Sequence, residues 1–326
     1  MLSGAFPKPA TAAAGQLAVF LISLVRRMPA RVTRQLLWPA LKVYPLLRPG
    51  HVSRLKARFA ACPFPSLTPG TYYAARLDLM IRGLKLHGSP IPPILEDGTA
   101  HYREALIANR PIALIGLHAG LLELQHRVPE APKARPFYIL TAPAFSPPLT
   151  AFMAQGRERD GKRILWIGKG GKGYGQGPGG VEALGKNLGK SLGNGLRALL
   201  GSNGVLALMA DQHPGPAEAC EYLHLWGAIR VPWPARLLRF LDSKGVICLP
   251  VSTRIDYDGN VRFTYHPPLR PDAESIRAYL ETSIAQSPEQ WNWSYPKITP
   301  SVSPSGKSHR ISDSPPAAGP RHRRVS

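Results

Sequence analysis

The feature that most constrains the fold is a series of short apolar runs that alternate with helix-like segments. Two of these runs, 112–117 and 204–210, are apolar almost without interruption, which is typical of strands buried in a sheet. Strands that alternate with helices favour a layered α/β domain with a largely parallel central sheet flanked by helices. At 326 residues and 44% hydrophobic content, the chain can bury one large core.

The pattern also predicts the element order and the division of the chain. Helices are predicted at 71–86, 99–108, 120–127, 148–156, 195–201, 232–242 and 272–287, and strands at 112–117, 137–140, 163–167, 204–210, 246–253 and 261–265. Three regions are predicted: a basic apolar segment 1–50, a folded domain 51–297 with a glycine-rich insertion at 168–195, and a disordered basic tail 298–326.

A histidine directly follows the first of these strands, and an acid follows the histidine after four intervening residues. If Gly120 allows a turn, His118 lies at the carboxyl end of the strand and Glu123 lies in the first turn of the next helix. The carboxylate can then fix the tautomer of the imidazole and leave its other nitrogen free to accept a proton from a hydroxyl. This pair predicts a general base and its orienting acid, and a structural histidine is the alternative.

Three more polar side chains are candidates for the same site. Asp211 ends the strand 204–210, and the carboxyl ends of parallel strands share one edge of a sheet, so Asp211 is expected in the same site as His118, where it would orient Arg157 or the acceptor. Arg157 and Arg159 end a predicted helix, and a guanidinium can bind a phosphate as a planar fork. The alternatives are ordinary surface charge for the arginines and a structural role for Asp211.

Positive charge is concentrated in the first quarter of the chain. The formal net charge is +21, and eleven Lys and Arg precede Asp78, the first acidic residue. Apolar stretches lie at 10–25 and 36–47, and the first is shorter than the roughly 20 residues that span a bilayer. Residues 1–50 are therefore predicted to anchor on anionic lipid at the membrane interface, with an ordinary core helix as the alternative.

Several other readings of the composition are disfavoured. The chain has no zinc-ligand spacing, no aromatic-interleaved basic strands and no basic heptad helix, so nucleic acid is not an expected partner. Three widely separated cysteines suggest neither a disulfide framework nor a metal site, which fits a reducing cytoplasmic face. The glycine-rich insertion contains glycine patterns that resemble nucleotide-binding loops, but it lacks the strand and helix that such loops need on either side. It is therefore interpreted as a mobile basic loop.

Four short motifs together resemble one family. They are His118-x4-Glu123, Arg157 after a glycine, Asp211-Gln212 at a strand end, and 287–293 with two tryptophans. Their order and spacing are similar to those of the lipid A biosynthesis lauroyl/myristoyl acyltransferases, within the lysophospholipid acyltransferase superfamily. The resemblance runs from about residue 17 to residue 297.

The resemblance implies a glycerol-phosphate-acyltransferase type of α/β fold and an O-acyltransferase without cofactor or metal. His118 and Glu123 would be catalytic, and Arg157, Arg159 and Asp211 would bind substrate. The donor would be acyl carrier protein, or acyl-CoA, and the acceptor a hydroxyl of a lipid A precursor. The expected location is the cytoplasmic face of a bacterial inner membrane.

Two departures from the family pattern leave the acceptor open. His213 stands where the family has a second Asp, and residues 294–297 replace a His-Arg-Arg sequence. A lysophospholipid, a glycolipid or a pigment lipid therefore remains an alternative acceptor. The alternative from another class is a non-enzymatic, basic membrane-binding protein.

Overall fold

The computed structural model describes residues 8–86, 91–143, 146–158, 161–167, 182–213 and 220–301. For residues 8–12 and 182–191 it describes the backbone alone.

The central feature of the molecule is a seven-stranded sheet. The strands are β1 (Ile94–Asp97), β2 (Ile112–Gly116), β3 (Phe137–Thr141), β4 (Arg163–Trp166), β5 (Val205–Met209), β6 (Glu221–Leu225), β7 (Ile229–Trp233), β8 (Ile247–Ile255), β9 (Val261–Tyr265) and β10 (Thr299–Pro300).

The large sheet is mostly parallel, as predicted. Its order is β1-β9-β8-β2-β5-β3-β4, and every neighbouring pair is parallel except the antiparallel pair β8 and β9. A second, three-stranded antiparallel sheet has the order β10-β7-β6. The predicted class, α/β with a largely parallel central sheet flanked by helices, is confirmed.

Helices surround this sheet and precede it in the chain. They are α1 (Lys8–Arg27), α2 (Ala30–Leu47), α3 (Pro49–Ala61), α4 (Pro69–Leu86), α5 (Thr99–Ile107), α6 (Leu124–Arg127), α7 (Pro147–Glu158), α8 (Glu182–Gly201), α9 (Ala235–Ser243) and α10 (Ala273–Ala285).

Burial on both faces explains why the central strands are uniformly apolar. Successive side chains of a strand point to opposite faces. In β2, Ala113 and Ile115 join one core cluster, whereas Ile112 and Leu114 join a second one. The strand has no solvent face, so each of its five residues is buried. This is the burial that the uninterrupted apolar run predicts.

Several predicted boundaries need correction. The helix expected at 232–242 begins at Ala235, because residues 232–233 pair within β7. The helix expected at 120–127 is reduced to the single turn α6, because a tight turn takes up 119–122. The strands β1, β6 and β7 were not predicted at all. Each is short: β1 has no buried side chain, β6 has two, and β7 contains Pro232, so the strand signal of each is weak.

The expected tail and insertion also differ from the structure where it describes them. Ile298 is fully buried and β10 pairs with β7, so the predicted tail starts at least four residues too early. Residues 302–326 lie outside the described residues. Helix α8 begins at Glu182, inside the predicted insertion, and residues 168–181 lie outside the described residues.

The first two helices leave many apolar side chains in solvent. Helix α1 contacts α4 and α7, and α2 contacts α3 and α4. Among the helices of the described ranges, none combines the length and hydropathy that crossing a membrane requires. The exposed large apolar residues of α1 and α2 are Leu17, Phe20, Leu21, Leu24, Val32, Leu36, Trp38, Val43, Tyr44, Leu46 and Leu47.

Candidate functional site

The site forms where two neighbouring parallel strands end. Strands β2 and β5 are paired in register, with Gly116 opposite Met209. His118 lies two residues after Gly116, and Asp211 lies two residues after Met209. The two side chains are therefore adjacent at the carboxyl edge of the sheet. The Nδ1 atom of His118 lies 2.8 Å from Oδ1 of Asp211. The backbone N–H of His118 donates to the other oxygen, Oδ2, at 2.9 Å.

Asp211 is the most enclosed member of the site. Its side chain is fully buried, and its Oδ2 also accepts a 2.7 Å hydrogen bond from the indole of Trp291. Burial alone would raise the pKa of this carboxyl, but attraction to His118 and the hydrogen bonds from His118 and Trp291 outweigh that effect. The pKa of Asp211 is therefore held below its ordinary value, and the carboxylate is charged at neutral pH.

The arrangement fixes one ring nitrogen of His118 and leaves the other for a substrate. Because the charged carboxylate accepts at Nδ1, a neutral His118 carries its proton on Nδ1 and has a lone pair on Nε2. The side chain of His118 is 22% exposed, so a reactant can reach it. A second backbone contact, from the N–H of Asn292 to the carbonyl of His118, ties this position to the segment after α10.

An apolar cavity adjoins His118. Its volume is about 340 Å³. Helices α1, α4 and α7, the turn after β2 and Asn292 form its walls, which are mostly apolar and include one cation, Arg76. The lining side chains include Ile22, Leu79, Met80, Leu84, Leu121, Leu122, Leu149, Phe152 and Met153, together with His118 and Glu123.

The turn that carries the chain from His118 to Glu123 depends on glycine. Gly120 has φ +59°, in the left-handed region that glycine adopts most readily. A Cβ at Gly120 would also collide with the backbone carbonyl of Thr253. Thr253 further secures the turn, because its hydroxyl donates to the carbonyl of Ala119 at 3.1 Å. The bend predicted at Gly120 is confirmed.

The expected contact between Glu123 and His118 is replaced by another one. The Oε1 of Glu123 is 3.0 Å from Nη2 of Arg157, and its Oε2 is 2.9 Å from Nε2 of His126. The partner of His118 comes instead from the adjacent strand, as Asp211. The geometric prediction for the pair was therefore wrong, because the tight turn directs the carboxylate toward α6 and α7.

Glu123, His126 and Arg157 form a buried polar cluster behind the cavity. Burial raises the pKa of Glu123, but His126 and Arg157 act more strongly in the other direction, so its pKa falls well below the ordinary value. Burial lowers the pKa of His126, against the opposing pull of Glu123. At neutral pH the cluster thus holds a charged carboxylate between Arg157 and His126.

Arg157 is enclosed by protein groups. Besides its contacts with Glu123, its Nη1 donates to the hydroxyl of Thr141 at 3.0 Å, and only 5% of the residue is exposed. These contacts favour a positioning role for Arg157, which differs from the predicted phosphate clamp. The second predicted arginine, Arg159, lies outside the described residues.

The predictions missed three side chains that organise the site. Trp291 was recognised only within a family motif, His126 was not considered, and Gln125 donates to the carbonyl of Leu117 at 2.7 Å. A Cβ on Gly116 would collide with the carboxamide of Gln125, so a larger residue at this position would force that side chain to move. The only sign of Gln125 and His126 in the sequence is that two polar residues follow Leu124, because their burial is a property of the structure.

Comparison with known proteins adds no identification. No protein-family model matches the chain, and no curated protein matches it.

Proposed function

We propose that the protein is an acyltransferase that moves an acyl group from a thioester to a lipid hydroxyl at a membrane surface. The observation that carries this proposal is the 2.8 Å contact between Nδ1 of His118 and Asp211, beside an apolar cavity of about 340 Å³. This combination provides a base for a hydroxyl and a place for an aliphatic chain.

The reaction is a direct transfer. Nε2 of His118 removes the proton of the acceptor hydroxyl while the oxygen attacks the thioester carbonyl. The C–S bond breaks as the new C–O bond is completed, and the imidazolium returns its proton to the leaving sulfur. The charged Asp211 stabilises the imidazolium between these two steps, because its pKa is held low.

Glu123 contributes to this mechanism through position. Its carboxylate is bound by Arg157 and lies against His126, so it fixes the wall of the cavity next to His118. Glu123 and His118 both border the cavity, and the acyl chain or the acceptor would pass between them. Arg157 would then act by holding Glu123 in place.

The first two helices support action at a membrane surface. Helix α1 has Ile22 in the wall of the cavity and Phe20 and Leu24 exposed to solvent. Apolar side chains of this kind, flanked by basic residues, bind the interface of an anionic bilayer. A lipid at that interface would lie next to the cavity. The N-terminal segment is therefore proposed as the membrane-associating element.

The donor and the acceptor follow from the family resemblance. We propose acyl carrier protein as the donor, since the strongly basic chain would attract an acidic partner, with acyl-CoA as the alternative. We propose a lipid A precursor as the acceptor, a glycerol-phosphate-acyltransferase type of fold, and the cytoplasmic face of a bacterial inner membrane as the location. Position 213 and residues 294–297 differ from the family pattern, so other lipid acceptors remain alternatives.

The proposal is tested by incubating purified protein with radiolabelled acyl-acyl carrier protein or acyl-CoA and each candidate lipid in mixed vesicles. Transfer to one lipid is expected, with loss of at least about a hundredfold in His118→Ala. His224→Ala is the matched control, because His224 is an exposed histidine on β6. Equal transfer by wild type and His118→Ala would reject the base. Vesicle binding without transfer to any lipid would favour the non-enzymatic membrane-binding protein.

A further inference from the structure

A second cavity lies on the opposite edge of the sheet. Its volume is about 920 Å³, well above that of the cavity at His118. Phe137 and Arg163, which begin β3 and β4, form part of its wall, so the cavity is at the amino edge. His118 follows the carboxyl edge, and a five-residue strand spans about 16 Å. The two cavities are therefore separate sites.

The wall of this amino-edge cavity is strongly basic. Negative charge in the wall comes from the carboxylate of Glu130 and from the carbonyl end of α8 at Gly201, which carries a partial negative charge. The charge balance of the lining side chains is therefore clearly positive. The cations are Arg127, Lys133, Arg135, Lys162 and Arg163.

Neutral groups hold two of these cations in place. Arg135 donates to the carbonyl of Leu106 at 2.9 Å and to the side-chain oxygen of Asn109 at 2.7 Å. The guanidinium of Arg163 lies over the ring of Tyr138, 6.0 Å from its centre. A carbonyl, an amide and an aromatic ring orient a guanidinium without cancelling its charge. The two arginines are thus positioned and remain attractive to an anion.

We propose that the amino-edge cavity binds a soluble, phosphate-bearing anion of about nucleotide size. Its volume falls within the range of small-molecule sites, roughly 300–1,000 Å³. Guanidinium groups match the oxygens of phosphate in pairs, which favours phosphate over a single carboxylate. Most of the exposed large apolar side chains of the described residues lie on α1 and α2, and α1 borders the other cavity, whereas Ile91 is the one that lines the amino-edge cavity, so a soluble anion fits this edge better than a lipid headgroup.

Pyrophosphate is the probe for the test. Thermal unfolding of the full chain is followed while pyrophosphate is added at constant ionic strength, with sodium chloride as the balancing salt. A saturable rise of the unfolding temperature is expected in the wild type and in His118→Ala. The double variant R135Q/R163Q should bind at least fivefold more weakly, and the single variant Arg163→Gln, at an exposed position, should show part of that loss.

Arg230→Gln is the matched control, because Arg230 lies over the ring of Tyr222 in the second sheet, far from this cavity in the topology. It should keep the wild-type response. A linear, unsaturable response, or an equal loss in Arg163→Gln and Arg230→Gln, would show generic screening of positive charge and overturn the proposal. Vesicles with phosphatidic acid form the second arm. Protection by vesicles but not by pyrophosphate, if it is lost in Arg163→Gln and kept in Arg230→Gln, would assign the cavity to a lipid headgroup instead.

Discussion

At the scale of single residues, Asp211 determines what His118 can do. An imidazole in solution exchanges between two tautomers, whereas the carboxylate at Nδ1 selects the one with a free Nε2. Trp291 holds the second oxygen of Asp211 and so limits rotation of the carboxylate. The reactivity of His118 therefore depends on Trp291, which is 80 residues away in the sequence from Asp211, the acid that orients His118.

Replacing Asp211 with Asn tests this dependence. An asparagine keeps the size and can accept from Trp291, but it loses the charge and no longer selects the reactive tautomer. We expect the rate of acyl transfer to fall about 10²- to 10⁴-fold, with little change in circular dichroism. Asp258→Asn, at an exposed turn, should leave the rate unchanged. Normal turnover in Asp211→Asn would remove Asp211 from the mechanism.

Arg157→Lys tests whether the buried arginine positions Glu123. Lysine keeps the charge but cannot reproduce the fork on Glu123 together with the contact to Thr141. We expect the free energy of unfolding to fall by about 1.5–3 kcal/mol, measured by urea denaturation. Arg239→Lys is the matched control, since Arg239 makes a similar fork with Glu221 in solvent and should change stability much less. Equal effects at both positions would contradict the positioning role.

The sequence allowed His118 and Asp211 to be assigned to one site, because residues that end parallel strands share an edge. It did not reveal which carboxylate meets the imidazole. Glu123 is closer in the chain, and only the register of β2 against β5 shows that Asp211 is closer in space. The contacts of His126 and Trp291 could not be predicted from the sequence either, because they depend on how α6 and the segment after α10 pack.

At the scale of secondary-structure elements, α1 combines two tasks. One side of the helix closes the cavity at His118, and Gly15 packs so closely on Ser146 that a Cβ there would collide with it. The other side exposes apolar residues that a water-soluble surface would not need. The proposed attachment to a bilayer and the formation of the cavity would therefore depend on the same helix.

Substitutions on the exposed side of α1 separate the two tasks. The double variant F20S/L24S should reduce sedimentation with anionic vesicles and should leave the melting temperature nearly unchanged, since both side chains are largely in solvent. Ile107→Ser is the control, because Ile107 is 81% exposed but lies at the end of α5. High salt should weaken vesicle binding of the wild type in part, because salt screens charge and leaves apolar burial intact. Unchanged sedimentation of F20S/L24S would exclude this face of α1.

The elements themselves were predictable to different degrees. The strands β2 and β5 were clear, because both of their faces are buried. The strands β6 and β7 were missed, since Pro232 and exposed polar residues hide their alternation. The short α6 was overextended, because the tight turn at Gly120 carries no helical signal of its own.

At the scale of the whole molecule, burial of histidines makes stability depend on pH. Burial lowers the pKa of four histidines from the ordinary value of 6.5, namely His51, His126, His213 and His266. The pKa values of Glu123 and Asp211 are lowered as well. In each case the folded state binds its proton more weakly than the unfolded state does, so stability rises with pH.

The expected profile follows from those directions. The histidine contributions are complete above pH 6.5 and are lost as the pH falls below it, and the carboxylate contributions are lost below their ordinary values of 4.5 and 3.8. The melting temperature should therefore be level above neutral pH, decline from about pH 6.5 and drop further below pH 4.5. His126→Asn should flatten the part near pH 6. A level profile between pH 8 and pH 5 would contradict the assignment of neutral buried histidines.

The cavity at His118 joins the two ends of the described chain. Ile22 comes from the first helix, Asn292 comes from the segment after the last one, and both line the same space. The indole that secures Asp211 also comes from this late segment. Strands β2 and β5 alone therefore leave the proposed site incomplete, because Asp211 still lacks its indole partner. The proposed activity would thus require that the first helix and the segment after α10 have both packed against the sheet.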